Sequence, residues 1–198
     1  QLDNCLRLHE KALNYYKETE DTKQYIETSN QLLRCLQDRS YIAADWQDLN
    51  KTLTEATTIG ENAITASSRT SDDEQLSKTY ALTSLHYFYA ANISQQEEKT
   101  KEYGHKSLTY AQKAQEISKK TSDRQLLALV NWALTVAILF FSDDIPNSLA
   151  YAEHMLNHGT ATNDNYLTGI ALYQLAFINY WTAPTEEDPD KIRKTYES

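Results

Sequence analysis

Glycine and proline are scarce in this chain, four and three in 198 residues. An all-β fold needs such residues at nearly every hairpin, so the shortage excludes that class and points to helices. Cysteine is limited to Cys5 and Cys35. Two thiols make neither a disulfide framework nor a zinc ligand set. Each stands at helical spacing from core candidates, Cys5 with His9 and Ala12, Cys35 with Leu32 and Leu36. Plain buried thiols are therefore expected, although the two helices are neighbours and a bridge between them is geometrically open. Positive charge is also short: 19 Lys and Arg against 28 Asp and Glu leave a net charge of −9. That balance excludes a nucleic-acid backbone as ligand, since phosphate contact requires a basic surface, and it fits a basic partner. Long apolar runs are missing too. The most apolar segment, 126–141, is sixteen residues and contains Asn131 and Thr135. It falls short of the roughly twenty residues that span a bilayer and is read as a buried helix. The chain opens on charged, helical sequence without a signal-peptide pattern, so no membrane contact and a cytoplasmic location are the expectation.

What the chain does have is a repeated phrase. "SLTYAQKAQEISKKTSD" (107–123) returns forty-one residues later as "SLAYAEHMLNHGTATND". Its landmarks Tyr110-Ala111-x-x-Ala114 and Thr121-Ser122-Asp123 match Tyr151-Ala152-x-x-Met155 and Thr162-Asn163-Asp164. Fifty-one residues upstream stand Ile59-Gly60-x-x-Ala63 and Thr70-Ser71-Asp72, and another fifty-one back Leu8-His9-x-x-Ala12 and Thr19-Glu20-Asp21. Four copies in one register signal stacked supersecondary units. Each unit reads as two helices. The first carries apolar and small residues at helical spacing, as in Leu108, Ala111, Ala114 and Ile117. A Thr/Ser/Asn/Asp cluster then ends the stripe and supplies oxygens to cap the next helix. Second helices are expected at 22–38, 74–92, 124–141 and 165–181. The units span roughly 3–39, 49–92, 102–142 and 146–182, and 189–198 reads as the start of a further helix of a longer array. The extra residues of the fifty-one-residue spacing are expected in turns at 40–48 and 94–104.

The segment "SLTYAQKAQEISKKTSDRQLLALVNWALTVAILFFSDDIPNSLAYAEHML" resembles the long form of the tetratricopeptide repeat. That resemblance covers about 5–182 and implies an all-α fold, a right-handed α-solenoid of stacked antiparallel helix pairs with about four repeats. A helical bundle without superhelical stacking is the alternative. The chain departs from the family pattern at its turns, where Asp143 and Thr182 stand near usual glycine positions, and at Leu33, where a small residue is expected. In the second helices the family's close-packing pair falls on Thr83-Ser84, Leu134-Thr135 and Leu175-Ala176.

The resemblance also implies a concave face. In the second to fourth units it carries Lys78, Ala81, Leu85, Phe88 and Tyr89, then Leu129, Trp132, Val136, Leu139 and Phe140, then Ile170, Tyr173, Phe177, Tyr180 and Trp181. In the first unit the same places hold Glu27, Asn30, Arg34, Gln37 and Asp38. The groove so drawn grows more aromatic along the chain and suits a peptide with apolar anchors, because large rings give contact area with few rotors to freeze. Two readings stand: a peptide groove, in which Trp132 and Tyr173 can be removed without unfolding, or core that packs on further repeats or a second copy. Family members that clamp acidic peptide tails use Lys and Asn at these places; Trp132, Val136, Tyr173 and Phe177 stand there instead. Acidic residues at the turns, Asp45, Asp48, Glu97, Glu98, Asp143, Asp144 and Glu186 to Asp188, either steer a basic partner or are ordinary solvated turns.

Nothing in the sequence carries chemistry. His154 and His158 have metal-ligand spacing but lack a third ligand, and a surface role near a helix C-terminus is expected. There is no phosphate loop, nucleophile elbow or Cys/His pair with an orienting group. The expectation is a non-enzymatic protein- or peptide-binding scaffold with no cofactor and no metal. The alternatives are the ligand- or peptide-sensing domain of a signalling or transcriptional regulator, and a self-assembly module.

Overall fold

The structure, a computed structural model, describes residues 2–67 and 70–183. Among them are eight helices and no strand: α1 (Leu2–Glu18), α2 (Thr22–Tyr41), α3 (Trp46–Ser67), α4 (Asp73–Ile93), α5 (Glu97–Ser118), α6 (Arg124–Phe141), α7 (Ile145–Ala161) and α8 (Asn165–Thr182). The even-numbered helices start where the repeated polar clusters end. Asp21, Asp72, Asp123 and Asp164 are their N-caps, each accepting from a backbone N–H of the first turn at 2.9–3.2 Å. These bonds satisfy donors that have no partner inside the helix.

Three of the odd-numbered helices bury a stripe of mostly small residues. Ala56, Gly60, Ala63 and Ser67 of α3 are buried, as are Ser107, Ala111, Ala114 and Ser118 of α5 and Ser148, Ala152, Met155 and Gly159 of α7. The spacing within the three sets is identical, so the repeat register is a packing register. Small side chains let helices approach closely. Ser84 of α4 donates to the Ser107 carbonyl at 2.7 Å, and Ser148 donates to the Thr135 carbonyl of α6 at 2.9 Å. A Cβ added at Gly104 would meet the Phe141 ring of α6 at 2.6 Å. Leu33, oversized for its register, is fully buried, and its carbonyl accepts from His86 Nε2 at 3.0 Å.

The chain departs from expectation at the longer spacings. Residues 97–104 are not a turn; they form the first two turns of α5, and α3 begins at Trp46. Both helices have 22 residues, against 17 in α1 and α7, so unit boundaries drawn at 49 and 102 fall inside them. Glu97 and Glu98 sit at the positive end of the α5 dipole, and Glu97–Lys101 and Glu102–Lys106 pair one turn apart. The turn acids are thus largely helix-start residues: Asp45 accepts from Asp48 N, and Asp144 caps α7. Asp143 takes a positive φ of 52°, occupying the left-handed position usually given to glycine. Glu186 to Asp188 and the further helix at 189–198 lie outside the described residues.

Helix α6 is the centre of the core. It is long and apolar enough to cross a membrane by length and composition, yet every residue from Ala128 to Ile138 is buried within the protein. Consecutive helices pack on one another, and α2 also packs on α4, α4 on α6 and α6 on α8. Among the described residues α1, α3, α5 and α7 make no such contact with each other. A row of helices in contact beside a row that is splayed apart bends toward the contacting row. The even-numbered helices therefore form the inner wall.

Candidate functional site

On that wall lies a half-open cavity of about 550 Å³. Helix α2 contributes Tyr41, and α4 contributes Phe88, Tyr89 and Asn92. Trp132 and Phe140 come from α6, and Tyr166, Ile170, Tyr173, Gln174 and Phe177 from α8. The rings form a connected set. Phe88 meets Tyr89 and Phe140 edge-on at 5.1 Å, Phe140 stacks on Phe177 at 6.0 Å, and Phe177 contacts Tyr173 and Trp181 at 6.2 and 5.6 Å. Trp132 lies against Tyr166 at 6.2 Å. Such offset and edge contacts fix ring orientation as well as burying area.

The polar groups of the cavity are neutral. The Tyr41 and Tyr89 hydroxyls share a hydrogen bond of 2.8 Å. Burial first, and the Tyr41 neighbour second, push the Tyr89 and Tyr166 hydroxyls well above the ordinary tyrosine range, so both stay protonated donors. Asn92 Nδ2 donates to the Phe88 carbonyl at 2.8 Å. The Trp132 indole N–H, in a residue only 1% exposed, has no hydrogen-bond partner. No charged side chain lines the cavity among the described residues. A ligand that left a charge here would leave it unpaired, so the site suits neutral, ring-bearing or aliphatic groups.

Of the fifteen residues expected on the concave face of the second to fourth units, seven line the cavity: Phe88, Tyr89, Trp132, Phe140, Ile170, Tyr173 and Phe177. Leu85 and Val136 are each 1% exposed and lie behind the wall, in contact with core rather than solvent. Trp132 is as deeply buried, which replaces the expectation that it can be removed without cost to stability. Tyr180 and Trp181 are 74% and 69% exposed and stand beyond the cavity, Trp181 touching its edge through Phe177. In the first unit Asn30 and Gln37 are buried, and Asn30 donates to Gln75 Oε1 at 3.0 Å; the expected polar end of the groove is partly helix-packing surface.

Tyr41 and Tyr166 were not anticipated. Tyr41, in the segment 40–48 expected as a turn, closes α2. Tyr166 had a usable signal, since 166, 170, 173 and 177 recur at helical spacing on one face of α8. The two cysteines also differ from expectation. Both are half-buried, their sulfurs are 2.6 Å apart, and His9 Nδ1 lies 3.5 Å from Cys5 Sγ.

No protein-family profile matches the sequence. No curated protein matches it either. Among solved structures the chain is similar to the crystal structure of a de novo designed helical repeat protein, with a TM-score of 0.57 and 15% identity. The match covers 90% of this chain and 89% of the designed one. At that identity the likeness concerns the fold alone: the chain has an all-α, solenoid-like helical repeat architecture.

Proposed function

We propose that this chain is a non-catalytic scaffold that binds a protein or peptide through the inner-wall cavity. The fold reading that goes with it is a tetratricopeptide-like, right-handed superhelix of four helix pairs. The shared register of the small-residue stripes and of the four capping aspartates supports it. The observation that carries the functional reading is the cavity itself. Rings from α4, α6 and α8 converge on one concave space, and Phe140 and Tyr173 remain 40% and 64% exposed within it. Bulky apolar side chains of a partner segment fit such a surface, and the net charge of −9 favours basic residues around them. A cytoplasmic signalling role belongs to the same proposal.

Selection of peptides from a displayed random library against the immobilised chain tests it. The expected result is a set of binders sharing a neutral aromatic or aliphatic anchor, whose affinity falls at least tenfold on Tyr173→Ala. Binders indifferent to Tyr173, Phe140 and Phe177 together would refute the site. A second reading draws on the cavity volume, which lies in the range of small-molecule sites. In it a neutral ligand bridges α4, α6 and α8, as in the sensing domain of a regulator.

A further inference from the structure

Away from the aromatic wall, α1 and α2 bring together three side chains of one coordination chemistry. Cys5 and His9 stand one turn apart on α1, and Cys35 faces them from α2. Their donor atoms all lie within 4.8 Å of one another, and all three residues are half-buried. We infer that Cys5, His9 and Cys35 form a binding site for a thiophilic divalent cation of the Zn²⁺ type, which clips α1 to α2.

Two sulfurs and one imidazole are a donor set for borderline-soft ions rather than for Mg²⁺ or Ca²⁺. Tetrahedral zinc with bonds of about 2.3 Å to sulfur and about 2.0 Å to nitrogen sets sulfur and nitrogen about 3.5 Å apart. His9 Nδ1 and Cys5 Sγ are already separated by 3.5 Å. The two sulfurs, at 2.6 Å, must separate to the roughly 3.8 Å of a shared ion, which rotation of one half-exposed cysteine side chain provides. The third side chain distinguishes this cluster from a thiol pair alone, because a bridge between two cysteines makes no use of an imidazole. His9 is also oriented from behind: its Nε2 lies 3.0 Å from Gln31 Oε1. In the metal-free protein Nδ1–H is within donating distance of the Cys5 carbonyl oxygen, 2.8 Å, so ligation through Nδ1 takes the other tautomer, with the proton on Nε2. In that tautomer Nε2–H donates to Gln31 Oε1, and an outer-shell partner on the second nitrogen is the usual companion of a ligating histidine.

The site also lies where the fold has least else. Leu6 is the single fully buried residue of α1, whereas α4 and α6 bury twelve each. A metal clip holds a helix whose apolar contact is thin, and its binding free energy adds to folding.

The test uses the described chain with both thiols kept reduced by a phosphine, titrated with Co²⁺ and then displaced by Zn²⁺. One equivalent of Co²⁺ is expected to give the visible bands of tetrahedral cobalt with a thiolate charge-transfer band, bleached by Zn²⁺. Cys5→Ser and Cys35→Ser should each abolish the bands, and Gln31→Ala should weaken binding roughly tenfold. Far-ultraviolet circular dichroism must show every variant still helical, so that lost binding is not lost folding. Zn²⁺ should also slow amide exchange in α1 selectively. Absence of the bands at a hundredfold excess of Co²⁺ would overturn the inference. So would a metal-free disulfide, two hydrogens lighter by intact mass, forming in the presence of Zn²⁺ once the phosphine is removed and air supplies dioxygen as the oxidant.

Discussion

Trp132 and Tyr173 both line the cavity, but the structure assigns them opposite energetic roles. Trp132 is 1% exposed, packed in the core with Leu129, Val136 and the α8 ring of Tyr166, whereas Tyr173 is 64% exposed. Trp132→Ala removes a buried indole and leaves a void that the surrounding helices fill only in part, at a cost of about 3–5 kcal/mol. For a chain of this size each kcal/mol corresponds to about 2–4 °C, so the melting temperature should drop by roughly 6–20 °C. Tyr173→Ala, at an exposed position, should change stability by no more than about 0.5 kcal/mol. On binding the order reverses for the direct contact. Loss of a central ring costs at least about 2 kcal/mol, or roughly thirtyfold in affinity. Thermal unfolding by circular dichroism, beside titration with the neutral fluorophore N-phenyl-1-naphthylamine, separates the two effects. Equal melting shifts for the two variants would refute the division of the wall into core and contact residues. A Tyr173→Ala variant that binds the fluorophore unchanged would refute the placing of the contact surface.

Three other outcomes are expected. His86 is fully buried, with Nε2 donating to the Leu33 carbonyl and Nδ1 without a partner, and burial lowers its pKa from 6.5 to about 4. Between those values the unfolded chain binds a proton that the folded chain does not, so stability falls as pH drops from about 6.5 to about 4, by about 3 kcal/mol at most. Urea unfolding at the two ends of that window should show a smaller pH effect in His86→Gln than in the parent, and parallel curves would exclude the assignment. Asp123 accepts from both Gln125 N and Leu126 N, so Asp123→Ala should cost about 1 kcal/mol, with Asp123→Asn nearly neutral in the same urea assay. Gly104→Ala should destabilise by about 1–3 kcal/mol through overlap with Phe141, and Phe141→Leu in the same chain should recover part of the loss; equal stability of Gly104→Ala and the parent would contradict the close approach of α5 to α6.

The helices and their order were legible in the sequence because their causes are local. A cap depends on one oxygen and the N–H two or three residues ahead, which is why the polar clusters could be read as caps before any fold was known, while the structure shows that the cap in each is its aspartate, Asp21, Asp72, Asp123 and Asp164. A buried stripe depends on a helical period, so Ala111 and Ala114 declared themselves, whereas Leu108 and Ile117, expected on the same stripe, are only half-buried and Ser107 and Ser118 take the buried edge instead. The first turns of α5 are not legible in the sequence because length alone cannot separate a longer loop from a longer helix; the deciding contacts, Gly104 with Phe141 and Tyr103 with Tyr87, are to other helices.

Which rings face a partner was decided by neighbours, not by register. Leu85 and Val136 hold concave-face positions as Tyr173 does, yet α4 and α6 each have an inner-wall helix on both sides. Helix α8, among the described residues, has one on a single side, so Tyr173 and Tyr180 stay exposed where their register equivalents are covered. The meeting of Cys5 and His9 with Cys35, and of Tyr41 with Tyr89, joins residues far apart in the chain, which no periodicity encodes. Short-range spacing specifies a helix and its apolar face; only the packing of helices against each other settles which part of that face water, a ligand or an ion can reach.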